Sequence, residues 1–401
     1  MVDKIISLLF IAFFFQTIAF CQSSTFLPEP TGGYSIGTKT LFLTDNSRYE
    51  KLTMRWGDKR MLQVKIWYPS DVKGDSVSNY LKDYGSETLW KGYQIFEVGQ
   101  SFFDSLKNFK THSYENIPVS NKQSTFPLII FSQGFYFGLD DFYTALMENL
   151  ASHGYIVVSI THPYDQVIAK TSNGKVLTLS KFRAMLAYTQ WKKVEFMHSK
   201  SPDTTNVRKT NRILKAYLRG MKVFNNSLHL WTKDAQFVID TLKSINNTLA
   251  NDRFYKKIDF SRIGAMGQSF GGAVSGQLCF EDNRVKAGVN LDCFQFGKLY
   301  GHEMKKPFML FQSDSYYLWR IANHIIYSNT SPFYSFKLDN AKHFIFSDCC
   351  LFPLGSSNKM KSLIGIENGT TKVAFINECI IDFYDHYLNG LPFKTNNFHS
   401  N

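Results

Sequence analysis

The rhythm of apolar positions changes near residue 126, and that change divides the chain. Upstream, residues 39–43 and 62–68 (LQVKIWY) alternate or run apolar with β-branched and aromatic side chains, which predicts two strands. Residues 71–125 are polar and irregular apart from residues 100–109. There Phe102, Phe103, Leu106 and Phe109 fall at helical spacing on one face. Such a stripe faces either the core or a membrane. From Phe126 onward, short apolar runs alternate with helical patterns. Residues 127–132 (PLIIFS) and 155–161 read as strands buried on both faces, with a helix over 141–153 between them. A helical insertion at 180–222 interrupts the series. A helix over 231–245 then leads to a strand at 261–266, followed by strands at 286–291, 307–311 and 333–338 and a closing helix at 372–388. This alternation predicts the α/β class, a mostly parallel sheet with helices on both faces.

The 401 residues, 44% of them hydrophobic, suffice for one large domain and exclude wholesale disorder. The first 21 residues read as an export signal. Lys4 precedes an apolar run at 5–15, short of the roughly 20 residues of a spanning helix, and Ala19 and Cys21 stand at −3 and −1 of a cleavage before Gln22. The expected layout is a signal peptide (1–21), a region of N-terminal strands and loops packed on the core (22–122), and a catalytic domain (123–395) carrying the insertion. The mature chain, secreted or periplasmic, keeps Cys279, Cys293, Cys349, Cys350 and Cys379. An odd number leaves at least one free thiol or an intermolecular bridge. No metal-ligand spacing such as C-x-x-C occurs, so neither metal nor cofactor is expected. The net charge of +12 comes without a zinc-finger spacing, an RNA-binding aromatic motif or a long basic block, which argues against nucleic acid. The insertion alone holds eleven Lys and Arg, opposed by Glu195 and Asp203, and reads as a basic solvated face or a cap over a site.

The strongest chemical signal is Gly267-Gln268-Ser269-Phe270-Gly271-Gly272, set between the strand ending at Met266 and a helix-compatible stretch at 273–280. This is the G-x-S-x-G elbow in its strand–turn–helix context. The sharp turn leaves room only for small residues two positions either side of the serine, hence Gly267 and Gly271. Its oxygen projects at the start of a helix, whose amides favour developing negative charge. A serine needs a histidine to take its proton and an acid to orient that histidine. Of the ten histidines, His302, His324, His343, His386 and His399 follow Ser269. His343 alone lies just after the last strand, where this fold supplies its imidazole. Asp292 (GVNLD) and Asp314 (FQSD) both end strands beyond the elbow, and spacing leaves the two open. The oxyanion donors are expected at the amides of Phe270, next after the nucleophile, and Phe135, in the glycine turn after the strand at 127–132.

These residues resemble the platelet-activating factor acetylhydrolases of the plasma type (isoform II-like) and their bacterial relatives, within the α/β-hydrolases. The matching stretches are GGYSIGTKTLFLTD, LQVKIWYPS, FSQGF, LASHGYIVVSITHPYD, GQSFGG, VKAGVNLD and HFIFSD, in order along nearly the whole mature chain. The resemblance selects Asp292 over Asp314, places the base at His343 and maps the oxyanion donors to Phe135 and Phe270. It implies calcium-independent hydrolysis of short or oxidised sn-2 acyl esters of phospholipids. Two departures stand out: the family's histidines before the nucleophile and in its F-S-H-G loop are glutamines here, Gln268 and Gln133. Both are expected to line the oxyanion region. With 37 Phe and 21 Tyr, the composition fits peripheral contact with a lipid surface. Two other readings share the scaffold: a general carboxylesterase or dienelactone-hydrolase-like enzyme on small soluble esters, and a non-catalytic lipid-binding protein.

Overall fold

The short apolar runs beyond residue 126 form the parallel strands in the middle of one ten-stranded sheet. The computed structural model describes residues 26–53, 55–199, 207–315, 317–352, 357–365 and 369–394. The export signal read at 1–21 and His399 lie outside them. The sheet holds β1 (Ser35–Tyr49), β2 (Lys59–Ser70), β3 (Val77–Asn79), β4 (Lys110–Glu115), β5 (Phe126–Ser132) and β6 (Ile156–Thr161). A small separate ribbon, β7 (Ile168–Lys170) with β8 (Val176–Thr178), precedes β9 (Ile258–Gln268), β10 (Val285–Leu291), β11 (Phe308–Gln312) and β12 (Phe333–Lys337). Their order is β12-β11-β10-β9-β5-β6-β2-β1-β4-β3. From β12 to β6 every pair is parallel, while β2 runs antiparallel to β6 and to β1. The chain steps from β5 to β6 on one side and then returns to β9 on the other. The carboxyl ends of β5 and β9 are therefore the topological switch point, where open parallel sheets bind their ligands.

Alternation along the central strands feeds two cores. Ile129, Phe131, Val157, Met266, Val289 and Phe311 face one layer, and Leu128, Ile130, Ile156, Val158, Ile263 and Leu310 face the other. In chain order the helices are α1 (Ser86–Gly92), α2 (Gln100–Leu106), α3 (Thr144–Ser152), α4 (Lys181–Ser199), α5 (Val207–Gly220) and α6 (Lys222–Thr248). They continue with α7 (Phe270–Glu281), α8 (Tyr317–Ile326), α9 (Asn358–Ile364) and α10 (Gly369–Asn389). Leu146 and Leu150 of α3 and Ile380 and Phe383 of α10 cover the first face. Trp231 and Leu242 of α6 and Ala273 and Leu278 of α7 cover the second. The predicted α/β sheet is therefore present, and α4 and α5 lie between β8 and β9.

Two expectations need correction, and a third, left between two readings, resolves. Outside the helix expected over 100–109, which is present as α2, the stretch at 71–125 is not irregular: it carries β3, β4 and α1. Strand β4 (KTHSYE) lacks an apolar pattern because its inward side chains are the polar Thr111 and Ser113. The phenylalanine stripe belongs to the core, since Phe103 and Leu106 are buried and Phe102 and Phe109 pack half-buried against the same layer. Phe109 also lies beyond α2, which stops at Leu106 as the chain turns into β4. Finally, α6 begins at Lys222 rather than 231, continuing the insertion directly into the domain.

Charges are buried deliberately. The Arg60 guanidinium donates to Asp234 at 2.6 Å and to Glu50 at 2.7 Å inside the second layer. Elsewhere three buried carboxyls lack such a full counterion. Burial pushes Asp348 up to about 8, against hydrogen bonds from the Ala145 amide and Tyr80. Burial likewise carries Glu148 to about 7, and Asp140 to about 7 with help from neighbouring Asp141. A carboxyl raised in the native state holds a proton that the unfolded chain releases. Its contribution to stability is complete below the ordinary carboxyl range and is lost as pH rises through the native value. Asp348→Asn removes that loss while keeping an acceptor for Ala145. The variant is expected to match the native melting temperature near pH 5 and to exceed it by about 2–4 °C near pH 8.5. Thermal melts across that range check the divergence.

Candidate active site

Strand β9 ends at Gln268, and the next residue turns sharply: Ser269 sits at φ 54°, ψ −133°, directly before α7. A non-glycine residue there is strained, and the surrounding glycines explain how the turn survives. A Cβ on Gly271 would overlap the Ser132 carbonyl at the end of β5. One on Gly267 would overlap the backbone of Gly271. The same close approach brings Gly134, in the loop after β5, against Ser269; a Cβ there would lie 3.5 Å from the serine Oγ.

His343 opens a short 3₁₀ turn (His343–Phe346) after β12. Its Nδ1 lies 2.8 Å from Asp292 Oδ2. Asp292, at φ 62° just past β10, also accepts from the Ser313 amide at 2.8 Å and the Ser313 hydroxyl at 2.6 Å. Asp314 lies elsewhere. It accepts the Asn340 amide at 2.7 Å and pairs with Arg320 and Lys337. Burial pushes its carboxyl up, but the Asn340 amide and the two cations outweigh that and hold it below the usual range. Asp314 thus braces the loop leading to His343, whose own amide donates to Ser315 Oγ at 3.0 Å.

Ser269, His343, Phe135 and Phe270 all line one cavity of about 630 Å³. Its wall is aromatic, including Phe96, Tyr136, Phe137, Phe296, Trp319 and Phe344, and α4 contributes Met185 and Tyr188 at the edge. The Phe135 ring packs against Trp231, Phe224 and Phe270. None of these wall residues was singled out by sequence, apart from Phe135 and Phe270. For α4 the signal was its place in an insertion within the strand–helix series. The two glutamines part company. Gln268 lines the cavity: its Oε1 accepts from Tyr143 at 2.9 Å, and its Nε2 donates to the His343 carbonyl at 3.1 Å and stands 3.3 Å from His343 Nε2. Gln133, expected to line the same region, does not. It is buried behind the loop, donating to Ser159 and accepting from Gln166.

A second serine–histidine–aspartate chain lies behind the cavity. Ser132 Oγ is 3.3 Å from His162 Nε2, and His162 Nδ1 is 2.9 Å from Asp234. All three are buried, none lines the cavity, and His162 stacks on Trp231 at 3.9 Å. Buried away from the cavity, this group is structural, and burial holds His162 below its ordinary value against Asp234. His302 packs near Phe280, His324 lies within α8, and His386 lies in α10, its Nδ1 2.8 Å from the Leu391 carbonyl. Among the described residues no cluster of His, Cys, Asp or Glu could hold a metal ion. Cys279, Cys293, Cys349 and Cys350 carry free thiols.

A parallel sheet with its strained elbow and cavity at the switch point defines an enzyme of the α/β-hydrolase fold. A solved ferulic acid esterase from Streptomyces cinnamoneus superposes with a TM-score of 0.67 at 22% identity, covering 93% of this chain and 96% of that one. The chain belongs to the family of platelet-activating factor acetylhydrolase, isoform II, whose model matches residues 19–379. Platelet-activating factor acetylhydrolase of Canis lupus familiaris is 25% identical over 67% of this chain and 55% of its own length. A probable 1-alkyl-2-acetylglycerophosphocholine esterase of Arthroderma benhamiae is 23% identical over 77% of this chain and 68% of its own. The chain thus spans little more than half the length of the dog protein, and the family is one of ester hydrolases.

The elbow yields a steric prediction. Gly271→Ala forces the added carbon into the Ser132 carbonyl and must separate β5 from α7. The variant is expected to lose esterase activity by about 100-fold or more, in line with a misplacement of about 1 Å at the reacting centre. Aryl-ester turnover by the purified soluble fraction checks this.

Proposed function

We propose that the chain is a calcium-independent serine esterase that hydrolyses the short or oxidised sn-2 acyl ester of phospholipids through Ser269, His343 and Asp292. The observation that carries this reading is the 2.8 Å contact of the buried Asp292 with His343, which lines the same cavity as the strained Ser269. Ser269 Oγ attacks the acyl carbonyl as His343 Nε2 takes its proton. The carbonyl π electrons move onto oxygen, where the Phe135 and Phe270 amides stabilise the charge. Collapse expels the lyso-phospholipid alcohol, protonated by His343, and leaves an acyl-serine. Water, deprotonated by the same imidazole, then releases the carboxylic acid. Asp292, held by two bonds from Ser313, keeps Nδ1 protonated and Nε2 free to act as base.

Several features support the lipid substrate. The cavity wall is mostly aromatic, which suits an acyl chain. On α4 the large side chains Phe182, Met185 and Tyr188 are 65%, 55% and 60% exposed, and the last two reach the cavity edge. An apolar stripe there fits peripheral contact with a lipid surface. The segment at 1–21 supports export of the protein by its sequence pattern. A general carboxylesterase is the second reading, favoured by the same aromatic wall, which also suits an aryl ester of the kind named for its structural neighbour.

Two experiments test these statements. Ser269→Ala and Asp292→Asn are each expected to lower kcat by about 10⁴-fold, the scale of losing a nucleophile or a tautomer-fixing acid. Asp314→Asn, which loosens only the loop brace, is expected to stay within about tenfold of the native enzyme. Inactivity of Asp314→Asn with an active Asp292→Asn would reverse the acid assignment. In a substrate panel, short-acyl phosphatidylcholines are expected to outcompete matched aryl acetates in kcat/KM. The opposite ranking favours the soluble-ester reading.

A further inference from the structure

A peptide group in the loop after β5 is held by a buried side chain that never reaches the cavity. Gln166 is fully buried and donates from Nε2 to the Gly134 carbonyl at 3.1 Å and to Gln133 Oε1 at 2.9 Å. Its Oε1 accepts the His162 amide at 2.6 Å, so the amide cannot rotate without breaking three bonds. Gln133 is in turn fixed by Ser159 at 2.7 Å. The loop is stitched to the same segment by its backbone, Tyr136 N to the Asp165 carbonyl at 2.9 Å and Val167 N to the Tyr136 carbonyl at 2.8 Å. Even Gly138 belongs to this arrangement, because a Cβ there would meet both Gly134 O and Gln166 Nε2.

The Gly134–Phe135 bond is a trans peptide, which carries its C=O and N–H on opposite sides of one rigid plane. Fixing the Gly134 oxygen therefore fixes the direction of the Phe135 N–H. We infer that Gln166 is a positioning residue for the Phe135 oxyanion donor, aiming that amide from behind by gripping the other end of its peptide plane. The inference rests on the proposed role of Phe135. It goes beyond it in assigning orientation to a side chain that touches neither substrate nor the reacting atoms. Without Gln166 the plane can tilt, and a donor misaimed by tens of degrees loses most of its bond to the oxyanion.

Two variants test this in the full chain with p-nitrophenyl acetate and a fluorophosphonate probe. Gln166→Met keeps the length and removes the donor. Gln166→Glu keeps the acceptor for His162 and donates to Gly134 only when protonated. The titratable and charged groups of the surrounding network are His162, Asp165, Asp234, Arg60 and Arg183. Losing an oxyanion donor outright costs about 10²–10³ in kcat, so mispositioning it is expected to cost about 10–100-fold, with KM within about threefold. Labelling of Ser269 should slow in the same proportion. For Gln166→Glu the ratio of variant to native kcat is expected to rise as pH falls from 8.5 to 5.5, while Gln166→Met stays equally impaired throughout. Unchanged kcat in a variant with native near-UV circular dichroism overturns the inference. So does a loss confined to KM, or a Glu variant impaired by one factor at every pH. Failure of the native protein to label at Ser269 overturns the proposed function itself and this inference with it; equal labelling of native and variant overturns the inference alone.

Discussion

The site depends on how closely two backbones approach. At the ends of β5 and β9 the Ser132 carbonyl, Gly267 and Gly271 sit so near one another that no side chain fits between them. That contact leaves Ser269 at a positive φ, seats α7 immediately beneath it and lays the loop after β5 alongside. A strained residue persists only where its surroundings over-determine it. Here the surroundings are the sheet itself, with the Ser269 amide bonded to the Leu291 carbonyl of β10.

Around that contact the polar groups work as struts. Asp314 braces the chain entering His343, and Asp292 is itself held by Ser313. Gln268 joins Tyr143 on one side to the His343 carbonyl on the other. Asp165 gathers Arg183 at 2.7 Å, Ser227 at 2.8 Å and Trp231 at 3.0 Å, which fastens the start of α4 to α6 and to the segment behind the loop after β5. Each strut joins elements distant in sequence, so the cavity is held at several points by bonds made only in the folded chain.

Most of the parallel core was legible because buried strands are short apolar runs and the elbow carries its own steric signature. Residues 127–132, 155–161 and 261–266 read directly as strands, and Ser269 and His343 stood out by position in the strand order. The reasons for the misses are equally physical. Strand β4 buries Thr111 and Ser113, so its pattern looked like loop, and pairing rather than hydrophobicity places it. Asp292 and Asp314 both follow the ends of neighbouring strands, so spacing left them open; the family resemblance favoured Asp292, and it is the Asp292 carboxylate that reaches His343. Gln133 followed the family's loop in sequence, yet its side chain turned inward to Ser159. A residue's neighbours along the chain did not reveal which way it points.

The cavity wall is drawn from two unlike sources. Ser269 and His343 stand beyond the ends of sheet strands, whereas Met185 and Tyr188 come from α4, a helix between β8 and β9 fastened to the framework near its start by Arg183. Substitutions in α4 can therefore reshape the cavity edge while leaving the residues at the strand ends undisturbed. The shape of the cavity mouth and the geometry at the strand ends are thus set by separate parts of the chain.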